Sequence, residues 1–129
     1  MAMTELSAIR AAEFFRLVDA KDVDAIQALM SDDAQGIDEI ARRWIRGRSA
    51  FDAYWAENLP RLMEVRSSVD DAEVRRWGDV EVETFTLHQS YLFDGTRYQI
   101  EAPATMIWRR QGDAWRIALI HTVPLPQVS

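Results

Sequence analysis

Two histidines are the side chains in this sequence best suited to proton transfer near neutral pH, because the imidazole ring titrates in that range. His121 follows Leu119, Ile117 and Trp115 at a spacing of two residues, which predicts that it shares the inward, apolar face of a strand with them. There it is either a hydrogen-bonded core group or an acid/base in a pocket. His88 has no acidic pair beside it at ligand spacing, so we expect no metal site.

Large aromatic side chains are more numerous than a small core requires. They are either simply core or the lining of a small-molecule pocket, which is built from aromatic walls with a few polar tips. The residues that we predict to bind a ligand are Phe14, Trp44, Tyr54, Trp55, Tyr98, Met106 and Trp108. Arg66 alternates away from Val65 and Ser67, so it faces the opposite side unless a β-bulge turns it inward toward a carboxylate ligand.

The composition excludes several other kinds of site. The chain has no cysteine, which rules out a disulfide framework, a thiol nucleophile and a zinc–thiolate centre. Its 21 acidic residues outnumber 15 basic ones, for a net charge of −6, so we expect no nucleic-acid partner. The five glycines are scattered and form no phosphate-binding loop, so no organic cofactor is expected.

The length of 129 residues, 48% of them hydrophobic, predicts a single domain over residues 1–129 with a substantial core. The first residues lack the pattern of a secretory signal, and no apolar stretch approaches the roughly 18 residues of a membrane span. We therefore expect a soluble, cytoplasmic protein with no membrane partner.

Helical spacing dominates the first half of the chain. It predicts one helix over residues 4–20, a second that follows Asp22 and stops at Ser31–Asp33, and a third over about 50–59. Ser49 is the expected N-cap of the third helix, and Pro60 ends it. Residues 34–38 read as a short edge strand, and residues 40–45 as a second short strand or a helical turn.

From residue 61 onward the spacing changes to period two. Tight turns at 77–79, 94–95 and 111–113 separate four long strands, the second over residues 80–93 and the third over 97–110. Helices followed by an antiparallel meander indicate an α+β fold. Strands this long must twist, so we predict a cone-shaped, curved antiparallel sheet, or half-barrel, with the N-terminal helices packed on its concave face.

This layout and several strings resemble the nuclear transport factor 2-like superfamily, and within it the SnoaL-like and calcium/calmodulin-dependent kinase II association-domain group. The strings are DVDAIQALMSDDA at 22–34, GRSAFDAYW at 47–55, RRWGDVEVET at 75–84 and ATMIWRRQGDAWRIALIHT at 104–122. The resemblance implies a curved sheet wrapped around a pocket and a homodimer formed through the outer face of the sheet.

The same resemblance suggests where chemistry would occur. Ketosteroid isomerases of the superfamily need a carboxylate base, and Asp38 falls roughly at that position with Glu39 beside it. They also need an oxyanion hole that includes a tyrosine on the first helix, where this chain has Phe14 and Phe15. The missing donor argues against that particular isomerase reaction, because the oxyanion hole is often the largest catalytic contribution.

Two hypotheses about function follow. In the first, the chain binds a small hydrophobic molecule with a polar tip, as an isomerase, dehydratase or cyclase in which Asp38 and His121 are the catalytic candidates. In the second, it is a non-catalytic binding or oligomerisation module. A carboxylate and a histidine that converge on one point of the pocket would favour the enzyme, and a collapsed, wholly apolar interior would favour the module.

Overall fold

The computed structural model describes the backbone of residues 3–126 and the side chains of residues 10–126. Within this range the helices come first and the long strands after them, as the hydrophobic spacing predicts. The elements are α1 (Met3–Asp19), α2 (Val23–Leu29), β1 (Met30–Ile37), β2 (Ile45–Arg46), α3 (Arg48–Asn58), β3 (Leu62–Trp77), β4 (Val80–Phe93), β5 (Thr96–Gln111) and β6 (Ala114–Thr122).

The six strands form one curled, unclosed sheet in the order β2-β1-β6-β5-β4-β3. Strands β3 to β6 are an antiparallel meander, which confirms the predicted α+β half-barrel. One pairing departs from the fully antiparallel expectation, because β1 runs parallel to β6. No hairpin joins these two strands, which are distant in sequence, so no tight turn fixes their relative direction.

The core lies between the helices and the concave face of the sheet. Phe14 and Phe15 of α1 are buried; the ring of Phe15 packs edge-on against Phe85 of β4 at 6.0 Å, and Phe14 packs against Trp55 of α3 at 6.1 Å. Edge-to-face pairs of this kind add to the stabilisation from apolar burial. The aromatic residues of α1 thus fasten the helix across the sheet, as predicted.

Two local boundaries differ from the sequence-based expectation. Ser31 is fully buried inside β1, which begins at Met30. The polar run 31–33 thus follows the end of the second helix, as predicted, but it belongs to a strand that starts before the predicted strand at 34–38. Pairing with β6 overrides the local preference of these short polar residues. The N-cap of α3 is Gly47, with a φ of 89°, and Ser49 lies inside the helix; glycine adopts this left-handed conformation without strain.

The predicted orientation of His121 is wrong, and a β-bulge is the reason. The pairing with β5 shifts between Ile107–Leu119 and Trp108–Ile117, which leaves Ala118 as an extra residue. Such a bulge reverses the alternation beyond it. Ile117, Ile120 and Thr122 are therefore buried, while half-buried His121 lies on the other face.

Candidate functional site

Two adjacent carboxylates lie where β1 ends and the chain turns away from β6. Asp38 directly follows β1, and its Oδ1 accepts hydrogen bonds from the backbone N–H groups of Ile40 at 3.0 Å and Ala41 at 2.8 Å. This Asx-type turn is closed by a bond from Arg42 N to Asp38 O at 3.0 Å, so residues 40–45 begin as a helical turn. The turn fixes the position of Asp38 and directs the chain back toward α3.

Tyr54 of α3 holds the other oxygen of Asp38. Its hydroxyl donates a short hydrogen bond to Asp38 Oδ2. Burial raises the pKa of Tyr54 well above its ordinary value, and the neighbouring Asp38 carboxylate raises it further. Tyr54 therefore keeps its proton and acts as a hydrogen-bond donor at physiological pH.

Glu39 is held by hydrogen bonds from residues of two other strands, β4 and β6. Tyr91 of β4 donates to Glu39 Oε1 at 3.0 Å, and the hydroxyl of Thr122, at the end of β6, is 3.4 Å from Glu39 Oε2. Burial raises the pKa of Glu39, and the charge of Asp38 adds to the effect; the two hydrogen bonds only partly oppose it. Glu39 thus holds its proton to a higher pH than an ordinary glutamate, which suits a group that exchanges protons near neutrality.

We call Asp38, Glu39, Tyr54 and Tyr91 the carboxylate centre. It separates a small inner cavity of about 50 Å³ from an open cleft of about 1870 Å³. Glu39 and Tyr54 line both spaces, Asp38 lines the inner cavity and Tyr91 lines the cleft. The wall of the inner cavity is mainly apolar and consists of Phe14, Phe15, Val18, Ile37, Ile40, Ile45, Phe51, Trp55, Leu62, Leu87 and Ile120.

The structure brings together some of the predicted ligand-binding residues and separates others. Phe14 and Trp55 line the inner cavity, and the exposed rings of Trp44 and Tyr98 line the cleft. Met106 and Trp108 were expected to line a pocket, but both are fully buried and line neither space. They lie toward the far end of the sheet from the carboxylate centre, where the concave face is filled by α1.

The two catalytic candidates from the sequence, Asp38 and His121, do not line the same space. The imidazole of His121 packs against Trp44 at a ring distance of 5.8 Å, and it lines neither the cavity nor the cleft. His88 lies on the outer face of the sheet, 3.8 Å from a carboxylate oxygen of Asp70 and 3.7 Å from one of Glu101. In the part of the chain that the structure describes, no group of three or more potential ligands is arranged to hold a metal ion.

Arg66 follows the alternation that the sequence indicates. It is exposed, whereas Val65 is buried and Ser67 half-buried, and its side chain lines the open cleft. The pairing of β3 with β4 is irregular between Met63 and Arg66, but the shift does not turn the guanidinium into the inner cavity.

Two contacts of the carboxylate centre were not predicted from sequence. The pairing of Tyr91 with Glu39 depends on contact between residues 52 positions apart. Thr122 lies one residue from His121, and it faces inward only because of the bulge in β6. Neither contact leaves a local signal in the sequence. The one indication was the position of Glu39, which directly follows the proposed base Asp38.

The sequence model of the SnoaL-like domain family matches residues 10–124. The comparison with curated proteins gives no significant match. In the described part of the chain, no helix has both the length and the apolar character that spanning a bilayer requires.

Several solved structures share the fold over nearly the whole chain. A nuclear transport factor 2-like protein from Streptomyces avermitilis, described as a candidate dehydratase, has a TM-score of 0.83 at 16% identity, with 98% of this chain and 100% of that chain covered. The hub homology domain of the calcium/calmodulin-dependent kinase II type from Chlamydomonas reinhardtii has a TM-score of 0.76 at 16% identity, with 98% and 100% covered. A candidate association domain of that kinase type from Thiobacillus denitrificans has a TM-score of 0.75 at 26% identity, with 91% and 94% covered.

Proposed function

The chain belongs to the SnoaL-like domain family, and from that premise we propose that it binds a small hydrophobic molecule with a polar tip at the carboxylate centre. The observation that carries this proposal is the position of Glu39 and Tyr54, which line both the inner cavity and the cleft. Ile40, Ile45 and Gln89 also line both spaces, so a ligand that reaches from one space into the other would lie beside a mixed polar and apolar boundary that includes Glu39 and Tyr54. Apolar walls with a few convergent polar atoms are typical of small-molecule sites.

The sizes of the two spaces limit how such a ligand fits. The inner cavity of about 50 Å³ is far below the roughly 300–1,000 Å³ of ordinary ligand pockets. It accepts a small apolar end, while the body of the ligand lies in the cleft against the exposed rings of Trp44 and Tyr98. The polar tip then meets Glu39 at the boundary.

The reaction class that this geometry supports best is proton transfer at a carbon next to a carbonyl, as in an isomerase, dehydratase or cyclase. Glu39 is the acid/base, because burial raises its pKa toward the working range. Asp38 is held by three hydrogen-bond donors, and it keeps the proton affinity of Glu39 high through its negative charge. The similarity in fold to a candidate dehydratase is consistent with this class.

Binding and chemistry can be tested separately. Ligand-observed NMR with a set of small aromatic ketones should detect binders that Glu39→Ala and Tyr54→Ala lose. Glu73→Gln, a change at an exposed acid of β3 that lines neither space, should keep them. Bound ketones should then exchange their α-hydrogens for deuterium, and Glu39→Gln should abolish that exchange. Binders that persist in both alanine variants would refute the site, and exchange that persists in Glu39→Gln would refute the proton-transfer role.

A second candidate function is assembly, which the filled interior and the fold similarity to a kinase hub domain favour. In this alternative a homodimer forms through the outer face of the sheet, where half-buried Val82 of β4 pairs with half-buried Ile107 of β5. Sedimentation at micromolar concentration should show a dimer, which Val82→Arg converts to monomer. The matched surface variant Thr96→Arg, at the exposed first residue of β5, should remain dimeric. A wild-type monomer would exclude this alternative.

A further inference from the structure

A second cluster of buried charges lies at the opposite end of β4 from Tyr91. Glu81 and Glu83 alternate on the inner face of β4, and both side chains are fully buried. Arg10 of α1 reaches Glu81, with 2.9 Å between Nη2 and Oε2. Arg76 of β3 is more distant, at 3.9 Å from Glu81 Oε1. Among the described residues, Arg10 is thus the closer of two guanidinium groups that pair with Glu81.

Glu83 is the less well satisfied of the two acids. Its Oε1 accepts a hydrogen bond from the indole Nε1 of Trp108 at 3.2 Å, but its Oε2 has no hydrogen-bond partner among the described residues. A buried carboxylate with an unpartnered oxygen is strongly disfavoured, whereas the protonated acid costs far less. The geometry therefore favours the neutral form of Glu83.

We propose that Arg10, Glu81 and Glu83 form a pH-sensitive fastening that holds α1 on the sheet while Glu83 is protonated and loosens α1 when Glu83 ionises. Ionisation puts a second negative charge next to buried Glu81, where the guanidinium groups among the described residues are Arg10, 2.9 Å from Glu81, and Arg76, 3.9 Å from it. The response that costs the least free energy is a movement of α1 that lets water reach Glu83. A helix on the surface of the domain opens more readily than the central strands.

The charged side chains near Glu83 come from three elements. Among the described residues, α1 contributes Arg10, β3 contributes Arg76 and β4 contributes Glu81. From β5 and β6 come the neutral indoles of Trp108 and Trp115, with the guanidinium of Arg10 4.8 Å from the ring centre of Trp115.

The pKa of Glu83 is raised to about 7, mainly by burial and to a smaller extent by the charge of Glu81. The hydrogen bond from Trp108, the charge of Arg10 and the backbone of Ala11 oppose this. The folded-state pKa is thus above the unfolded one, so stabilisation is complete in mild acid and is lost as pH rises through about 7.

Loosening α1 would also open the inner cavity. Phe14 lies one turn after Arg10, and Phe14 and Phe15 form part of the cavity wall. The fastening is thus placed to regulate access to the apolar interior from the helix side, at a distance from the carboxylate centre. This consequence rests on the proposed binding function, whereas the pH response of α1 itself does not.

Amide hydrogen exchange of α1, followed by mass spectrometry on the full chain, tests the fastening. With an open-state pKa near 4.5 and a closed-state pKa near 7, protection factors over residues 10–19 should fall about tenfold between pH 6 and pH 8. Protection factors already correct for the intrinsic pH dependence of exchange. Glu83→Gln keeps the size of the side chain and an acceptor for Trp108, and it should remove the fall.

The control is Glu101→Gln, an exposed acid on the outer face, which should retain the wild-type response. Wild-type protection that changes less than twofold, or a tenfold fall that persists in Glu83→Gln, would overturn the proposal. If Glu83→Gln does not fold, the carboxyl carbon of Glu83 in the wild-type chain can be titrated by carbon-13 NMR. A midpoint near 7 supports the fastening, and a midpoint below about 5.5 contradicts it.

Discussion

Replacing Tyr91 with phenylalanine removes one oxygen atom from the carboxylate centre and leaves the packing in place. Tyr91 is 2% exposed, and its ring stacks on Tyr98 at 5.5 Å, a contact that phenylalanine can keep. The lost group is the hydroxyl that donates to Glu39 at 3.0 Å. Tyr91→Phe therefore tests how this hydrogen bond contributes to the free energy of unfolding.

The expected magnitude depends on the charge of Glu39. A hydrogen bond to an ionised group contributes about 1.5–3 kcal/mol, and one to a neutral group about 0.5–1.5 kcal/mol. Because half-buried Glu39 recovers part of this from water, we expect a loss of about 1–2 kcal/mol at pH 8 and about 0.5 kcal/mol at pH 4, below the ordinary pKa of a glutamate. The bond from Tyr91 lowers the pKa of Glu39, so removing it raises that pKa further. Stability should then fall more steeply with rising pH than in the wild type.

Urea unfolding followed by tryptophan fluorescence at pH 4 and pH 8 measures both values. Tyr98→Phe is the matched control: the same atom is removed from the neighbouring ring, which is 44% exposed, and the change should stay within about 0.5 kcal/mol at both pH values. Equal losses at the two pH values would show that Tyr91 does not interact with an ionising Glu39. A loss at pH 8 no larger than that of the control would contradict the hydrogen bond itself.

Three further substitutions test other parts of the structure by thermal melting. Gly36→Ala should lower stability by about 1–3 kcal/mol, because a Cβ there would lie 2.8 Å from the Ile120 backbone oxygen and 2.9 Å from the Phe51 ring; an unchanged melting temperature would contradict this packing. His121→Ala should cost only about 1 kcal/mol, the size of its aromatic contact with Trp44, and should leave ketone binding intact, whereas lost binding would restore His121 as a site residue. Asp19→Ala should cost about 1–2 kcal/mol, since Asp19 accepts bonds from Ser67 N at 3.0 Å and Ser67 Oγ at 2.6 Å; a neutral result would show that this link between α1 and β3 is not stabilising.

The order of elements was predictable because the period of the hydrophobic pattern changes once, near residue 61, and tight turns separate the strands after it. These signals are local, and the arrangement that they predict, helices followed by an antiparallel meander, is confirmed by the structure. The pairing of β1 with β6 was not predictable. It joins Met30 to Ile117 and Ile37 to His121, and the sequence near residue 30 carries polar residues that suggest a loop.

The site was only partly predictable, because one extra residue in β6, Ala118, changes which side chains face inward. Period-two reasoning assumes unbroken alternation, and the bulge at Ala118 shifts it by one position. His121 therefore leaves the interior and Thr122 enters it. Asp38 and Tyr54 were both named from sequence, yet their direct contact depends on a turn that brings α3 back over the end of β1.

The burial of Glu81 and Glu83 follows from the alternation of residues along β4. They share the period-two face of Phe85 and Leu87, so the alternation that buries these apolar residues must bury both carboxyl groups as well. Two acids on an apolar face are expensive unless they are paired or protonated. A violation of the hydrophobic pattern is therefore as informative as the pattern itself.

The positions of Glu39 and Glu83 imply that this domain responds to pH in the direction opposite to ordinary acid denaturation. Glu83 and the Glu39 partner Tyr91 are eight residues apart on β4, roughly 25 Å along the strand, so the two acids titrate nearly independently and their effects add. Burial raises both pKa values, so the folded state binds more protons than the unfolded chain above about pH 4.5, and for Glu83 this difference extends to about pH 7. Stability should consequently fall as pH rises across that window.

The lowered pKa values of Asp33 and Asp94 favour the opposite trend, a stability that rises with pH. These acids are exposed, however, and solvent screening weakens their effect. The net expectation is a domain that is more stable at pH 5 than at pH 8, with most of the difference removed when both Glu39 and Glu83 are replaced by glutamine.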